Sequence, residues 1–311
     1  MADHNEPFET RAQGKLLLTG EYFVLDGALS LALPVRYGQT LQVLPSENPG
    51  RLTWTSRDAD GTVWFQAEFE LPEIVPLSST DPKTADILAT VLKACRRQKP
   101  AFLSENAAFE VRTANEFPRA WGLGTSSTLI AAIAVWADVD PYPVLFDTFG
   151  GSGYDIACAY ASGPVLYHLE GQTPWIRTVV FEPVFAGQLY FVYLGKKQDS
   201  RAGIERYRER MKDNLARIGE VSNLTQAFLT ADSLPTLEQV IREHENLIGE
   251  ALGLARAKDL YFNDFWGEIK SLGAWGGDFV LATSDRPEAE TQTYFSSRGF
   301  FVFFPWREMV V

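Results

Sequence analysis

Only two cysteines occur in the 311 residues, Cys95 and Cys158, each on an apolar segment with no second thiol or histidine at metal-ligand spacing. Two buried free thiols in a reducing compartment are expected, not a disulfide framework or a thiolate metal site. No apolar run reaches membrane-spanning length, and the start M-A-D-H-N-E-P-F lacks the basic and apolar regions of a signal peptide. The chain therefore reads as soluble and cytoplasmic, with no membrane partner. Positive charge is scarce too: 28 lysines and arginines stand against 40 aspartates and glutamates, a formal net charge of -12. A field of that sign repels polyanions, which excludes a general nucleic-acid surface. It does not exclude a small anionic substrate met by a local cluster of basic residues and amides. Internal repeats and low-complexity tracts are absent as well.

What is present is apolar bulk, 46% of a chain long enough to bury two cores. Two domains are expected, residues 1–183 and 184–311, divided near Pro183. The oligomeric state stays open between monomer and homodimer.

The stretch from Trp121 to Leu129, W-G-L-G-T-S-S-T-L, organises the rest and runs on into an apolar segment to Ala137. Gly122 and Gly124 allow the dihedrals and close approach that a loop around an anion needs, and Thr125, Ser126, Ser127 and Thr128 add hydroxyls. The following L-I-A-A-I-A-V-W predicts a helix whose first-turn amides point back into the loop, a geometry that binds phosphate. A simple helix cap built from the same serines and threonines is the alternative.

Upstream, residues 1–10 read as a loose polar start. Residues 14–24, G-K-L-L-L-T-G-E-Y-F-V, predict a strand interrupted at Gly20, with Lys15 and Glu21 at either end. Taken alone, Lys15 also fits a snorkelling surface residue. Strands are expected over 30–35, 37–44, 52–56 and 63–69, a helix over 84–97 carrying Ile87, Leu88, Val91, Leu92 and Cys95, and a strand over 109–113. A turn at 138–143 leads to T-F-G-G-S-G-Y-D, where Gly150, Gly151 and Gly153 deliver Asp155 to the start of a short apolar helix. An acid there compensates the helix dipole or serves a site, and three preceding glycines favour the site. Strands follow at 165–168 and 175–181.

The second half predicts a buried strand over 188–195 and a basic loop with Lys196, Lys197 and Arg201. Helices are expected over 204–218, 223–230 and 237–252, then a third glycine cluster, S-L-G-A-W-G-G-D-F-V from Ser271, running into a strand. A helix over 289–298 and a strand over 299–304 complete an α+β pattern.

Three glycine clusters, with a lysine ahead of the first and an aspartate in the second, resemble the galactokinase, homoserine kinase, mevalonate kinase and phosphomevalonate kinase superfamily, the GHMP kinases. Ala12 to Tyr22, A-Q-G-K-L-L-L-T-G-E-Y, is similar to the first motif, P-x-G-K-x-x-x-x-G-E-[HY]. Gly122 to Ser126 is similar to G-L-G-S-S with Thr125 for the first serine, and Gly273 to Asp278 to the third motif with Trp275 at a usually small position. The resemblance covers most of the chain.

It implies an α+β fold of two domains, ribosomal-protein-S5-like and ATP-binding at the N-terminus and ferredoxin-like at the C-terminus, with the active site between them. It implies ATP and magnesium as cofactors and a small-molecule substrate. By that resemblance Gly122, Leu123, Gly124, Thr125, Ser126 and Ser127 would wrap the phosphates and Ser126 would bind magnesium. Asp155 would act as base and Lys15 would stabilise developing charge. Substrate and closing contacts would come from Glu21, Tyr22, Ser152, Gly153, Gly273, Gly276 and Gly277, while Lys196, Lys197 and Arg201, read from their charge alone, either hold an anionic substrate or form a solvated surface loop. The link from Ala137 to Gly150 is shorter than is usual and offers Asp147 in place of the family's metal-sharing glutamate. Tyr22 and the Gly276-Gly277-Asp278 ending look more like phosphomevalonate kinases than mevalonate kinases. The implied activity is ATP-dependent phosphorylation of mevalonate or phosphomevalonate in isoprenoid precursor synthesis. A homoserine or sugar kinase and a non-catalytic nucleotide- or metabolite-binding relative are the alternatives.

Overall fold

The computed structural model describes residues 7–196, 200–210, 215–275 and 277–311, without the side chains of residues 200–202 and 215. Lys197, Gly276 and the side chain of Arg201 lie outside the described residues. The chain forms two compact units: Met1–Gly14, Tyr37–Arg119 and Gly124–Tyr160 make the first, and Lys15–Arg36, Ala120–Leu123 and Ala161–Val311 the second.

Strands β1 (Phe8–Thr19) and β2 (Ser30–Pro45) each contribute residues to both units. The strand therefore starts at Phe8, inside the stretch expected to be loose. Likewise β2 is one strand of 16 residues where two were expected. Pro34 does not end it, because a proline in a strand costs only its missing donor; its carbonyl accepts from Val311 N–H at 3.2 Å.

The first unit continues with β3 (Arg51–Arg57), β4 (Val63–Glu70), β5 (Val75–Ser79), α1 (Pro82–Gln98) and β6 (Ala108–Asn115). Helices α2 (Thr125–Ala137), α3 (Pro141–Thr148) and α4 (Tyr154–Cys158) complete it. Its strands lie in the order β5-β4-β3-β6-β2, with β3 and β6 parallel and the other pairs antiparallel. Alternation along the strands sends Leu41, Val43, Leu52, Trp54, Phe65, Phe69 and Val111 into one core with Leu88, Val91 and Leu92 of α1 and Ile130 and Ile133 of α2. Asp81 caps α1 by accepting from the Lys83 and Thr84 amides, and Pro82 starts it. The same device makes α3 where a turn was expected: Asp140 caps it, and Pro141 in the first turn needs no amide partner.

In the second unit follow β7 (Val165–Glu170), β8 (Thr173–Thr178), β9 (Leu189–Tyr193), α5 (Ser200–Arg210), α6 (Leu215–Thr230) and α7 (Leu234–Leu252). The chain ends through α8 (Ala257–Tyr261), β10 (Ile269–Ser271), β11 (Phe279–Thr283), α9 (Glu288–Ser296), β12 (Phe303–Pro305) and α10 (Trp306–Met309). An antiparallel sheet runs β10-β11-β9-β12, so the third glycine cluster is the connection of the β10–β11 hairpin. Helix α6 runs unbroken through 219–222, where a gap was expected, because buried Val221 anchors that turn in the core with Phe23, Tyr207 and Ile248. Among the described residues no helix is long and apolar enough to cross a membrane. Both cysteines are buried and neither forms a disulfide, and burial pushes the Cys95 thiol up to about 12.

Leu92 is fully buried, while Ile87 on the same helix is 46% exposed. Leu92→Ala should therefore cost about 2–5 kcal/mol in urea unfolding, and Ile87→Ala should stay within about 0.5 kcal/mol of the parent. Equal losses would show that α1 does not present this face to the core.

Candidate functional site

The segment Ala120–Leu123 is fastened within the second unit. Trp121 packs edge-on to Phe279 and Phe304, with ring centroids 5.8 and 5.5 Å away, and Tyr193 Oη donates to the Ala120 carbonyl at 2.8 Å. Lys15 N–H donates to the Leu123 carbonyl at 2.9 Å, and Lys15 Nζ donates to the Gly122 carbonyl at 3.2 Å. Gly122 has φ 69°, and a Cβ there would fall on the carboxylate of Asp278. Both the dihedral and the space demand glycine. Asp278 is itself left-handed at φ 53°; its amide donates to the Lys196 carbonyl at 2.7 Å and its carbonyl accepts from Leu194 N–H at 2.8 Å. The first-motif lysine, the first glycine of the loop and the aspartate ending the third cluster thus meet in one unit.

In the first unit, left-handed Gly124 (φ 93°) directly precedes α2, and no side chain caps that helix. The hydroxyls that suggested a cap bond elsewhere. Thr128 Oγ1 donates to Gln39 Oε1 at 2.8 Å, and Ser127 Oγ donates to Asp155 Oδ2 at 3.1 Å. Ser126 is exposed and Thr125 half-buried. The first-turn amides of α2 are left without a side-chain acceptor, which is the arrangement that receives an anion.

Asp155 is half-buried in the first turn of α4, with Gly153 (φ 87°) as the preceding cap and Ser152 buried beside it. Gly150 and Gly151 have φ 67° and 96°, but a Cβ on either would meet nothing within 4 Å. Their glycines serve the backbone dihedrals, not a close approach. Lys15 and Asp155 belong to different units.

Glu21 and Tyr22 have buried side chains in the second unit. Tyr22 is left-handed (φ 64°) and stacks on Tyr207 at 5.9 Å. Glu21 Oε1 accepts from Lys270 Nζ at 2.5 Å, and its Oε2 lies 3.4 Å from His244 Nε2, which accepts from Gly20 N–H at 3.1 Å. Glu245 takes the amide and the hydroxyl of Ser271, each at 3.0 Å. Gly277 is buried.

Sequence reasoning did not single out Lys270, His244 or Glu245. The signal was there for the helical pair: Leu237, Val240, Ile241, Ile248 and Leu252 mark the buried stripe of α7, and His244 and Glu245 fall on it. Polar residues on such a stripe must find partners indoors.

Burial raises the Glu21 carboxyl, holds His244 well below its usual value and pushes Glu245 up to about 8, the proximity of Lys270 opposing the shift of both acids. Among the described residues no group of three or more histidine, cysteine, aspartate or glutamate side chains could hold a metal. Asp147 is committed on the surface to Arg97 at 2.7 Å. A magnesium ion held here would take a hydroxyl such as the exposed Ser126 and otherwise phosphate and water oxygens.

No protein-family model matches the chain, and no curated protein matches it by sequence. Solved structures do match over nearly its whole length. Streptococcus pneumoniae phosphomevalonate kinase in complex with phosphomevalonate and AMPPNP has a TM-score of 0.70 at 15% identity, covering 96% of this chain and 99% of that one. L. major mevalonate kinase in complex with R-mevalonate gives 0.67 at 14%, covering 97% and 96%. Lactococcus lactis galactokinase complexed with galactose gives 0.67 at 12%, covering 98% and 94%. The chain therefore has the two-domain α+β fold of the GHMP kinases.

The buried quartet carries a pH signature. Glu245 holds its proton up to about 8 in the folded protein and only to 4.5 as a free side chain, so its contribution to stability is complete below pH 4.5 and is lost as pH rises through about 8. His244 acts oppositely, contributing above 6.5 and losing its contribution as pH falls. Glu245→Gln removes the first trend only. Its melting temperature relative to the parent should climb steadily from pH 5 to pH 8.5; a constant difference would mean that Glu245 ionises normally.

Proposed function

We propose that this protein is an ATP-dependent small-molecule kinase, with mevalonate or phosphomevalonate as acceptor and magnesium as the accompanying ion. The observation that carries the reading is the Ser127–Asp155 hydrogen bond, which ties an acid to the first turn of an uncapped helix. Phosphoryl transfer needs an anion cradle, a positioned base and a cation, and little covalent chemistry from the protein. The α2 amides and Gly122 to Ser127 provide the cradle. Asp155 takes the proton of the acceptor hydroxyl as its oxygen bonds to the γ-phosphorus and the bond to the departing ADP oxygen breaks. Lys15, held on the Gly122 carbonyl, neutralises charge that grows during the transfer. Ser126 would be the hydroxyl ligand of magnesium, which when bound shields the phosphate charge. Residues 1–183 are proposed as the nucleotide-binding part and 184–311 as its C-terminal complement, and two buried cysteines outside any disulfide fit a cytoplasmic setting.

Ser152 and Gly153 beside Asp155, together with Gly277, are proposed near the acceptor. The choice of a phosphorylated acceptor rests on the basic stretch Lys196, Lys197 and Arg201 in an otherwise acidic chain. It draws support from the fold shared with a phosphomevalonate kinase that holds phosphomevalonate and AMPPNP.

An ATP-consumption screen with mevalonate, phosphomevalonate, homoserine and galactose tests the activity. Turnover is expected with one of the first two, and Asp155→Asn should lower it by about a hundredfold or more while AMPPNP affinity by calorimetry stays unchanged. Consumption only with galactose or homoserine moves the protein to another acceptor, and AMPPNP binding without consumption makes it a binding protein.

Replacing Lys197 and Arg201 together with alanine should raise the KM for phosphomevalonate at least about tenfold, the loss of roughly 1.4 kcal/mol of binding, with the KM for ATP unchanged. An unaltered KM for phosphomevalonate removes this stretch from the acceptor site.

A further inference from the structure

Glu21, His244, Glu245 and Lys270 are closed off from solvent, with exposures of 0, 0, 1 and 0%. They come from three separate segments of the second unit: the turn after β1, the middle of α7, and β10. Lys270 Nζ donates to Glu21 Oε1 at 2.5 Å and to its neighbour's carbonyl, that of Ser271, at 3.0 Å; Glu245 Oε1 lies 3.7 Å from it. One cation is thus placed between two carboxyl groups, with His244 on the far side of Glu21. Glu21 Oε2 and His244 Nδ1 make no hydrogen bond. The phosphoryl-transfer chemistry proposed above uses none of the four.

Burying such a set is not a route to stability, since apolar side chains of similar shape commonly serve as well or better. What the set does do is join two segments that carry unusual backbone. Gly20 and Tyr22 are both left-handed, at φ 89° and 64°, and a Cβ on Gly20 would strike Ser30. A non-glycine residue in that region is held by its surroundings. On the other side, Lys270 and Ser271 begin the hairpin whose connection ends at left-handed Asp278. Lys15 lies six residues before Glu21 on β1, and both Lys15 and Asp278 converge on Gly122.

We propose that Lys270 is a positioning residue: by bridging Glu21 and Glu245 it fixes the Gly20–Tyr22 turn against the β10–β11 hairpin and so orients Lys15 and Asp278 at Gly122. Its kinetic consequence rests on the kinase reading, and its structural consequence does not.

The test uses Lys270→Met and the double variant Glu21→Gln/Lys270→Met in the full chain. The single variant strands the Glu21 carboxyl without its counter-charge and is expected to lose stability. The double variant removes both charges and should melt close to the parent. In it, amide exchange should rise at least about tenfold in residues 20–22 and also in 271–278, because one tie held both. With ATP and the acceptor found by the screen, kcat should fall at least about tenfold with the KM for ATP within about twofold, the pattern of a displaced group acting in the transition state. Where the double variant does not fold, Glu21→Gln alone, which keeps the shape and leaves Lys270 its second carboxyl partner, is read by the same exchange measurement. Unchanged exchange in either segment overturns the proposal, as does a normal kcat in a variant whose segments have loosened. A parent protein that neither binds AMPPNP nor consumes ATP overturns the kinase reading, and the exchange result by itself then supports or sinks the positioning role.

Discussion

A buried ammonium group has to meet its counter-charge inside the protein, and Lys270 meets Glu21 at 2.5 Å with neither side chain reaching solvent. The energy of taking both out of water is returned only while that geometry holds. The constraint is therefore passed to whatever is attached to the pair. Glu21 follows the strand that carries Lys15, and Lys270 lies in β10, whose connection to β11 ends at Asp278. Two stretches far apart in the chain are thereby referred to one point, and the Gly122 carbonyl and Cα are where their far ends arrive.

The charge distribution of the loop is organised more finely than the net charge of -12 suggests. A negative chain can hold an anion only where amides and a cation are aimed at it and where nearby acids are restrained. Within the first unit Asp155 is restrained by Ser127; within the second, Asp278 is restrained by its wedge on Gly122 and by backbone bonds to Leu194 and Lys196. The α2 start keeps its amides available because its cap residue, Gly124, carries no side chain to accept from them. A conventional serine or threonine cap would have consumed the donors that make this helix end attractive to phosphate.

Much of the local structure was legible because local rules decide it. Alternation marked β3, β4 and β6, and helical spacing marked α1, whereas α3 opens behind Asp140 within the stretch 138–143 where a turn was expected. Three other misreadings share a cause. The opening of β1 at Phe8, the continuity of β2 through Pro34 and the unbroken α6 all depend on partners distant in sequence, which no window of a dozen residues contains. Ile87 shows the converse, an apolar residue at core spacing that the packing leaves 46% exposed.

The sequence by itself determined the glycine clusters, the helix that follows Gly124, and the presence of Lys15 and Asp155 beside them, because backbone dihedrals and helix propensity are properties of neighbouring residues. Only the tertiary structure decided which polar groups meet. Ser127 turned to Asp155 and not to a helix cap, Asp147 was taken by Arg97, and Glu21 went inward to Lys270. Those pairings span 28, 50 and 249 residues. For Glu21 burial selects the partner, since a charge shut away from water must accept whichever opposite charge the fold brings within reach, while Asp147 meets Arg97 on the surface because the fold sets α3 beside α1.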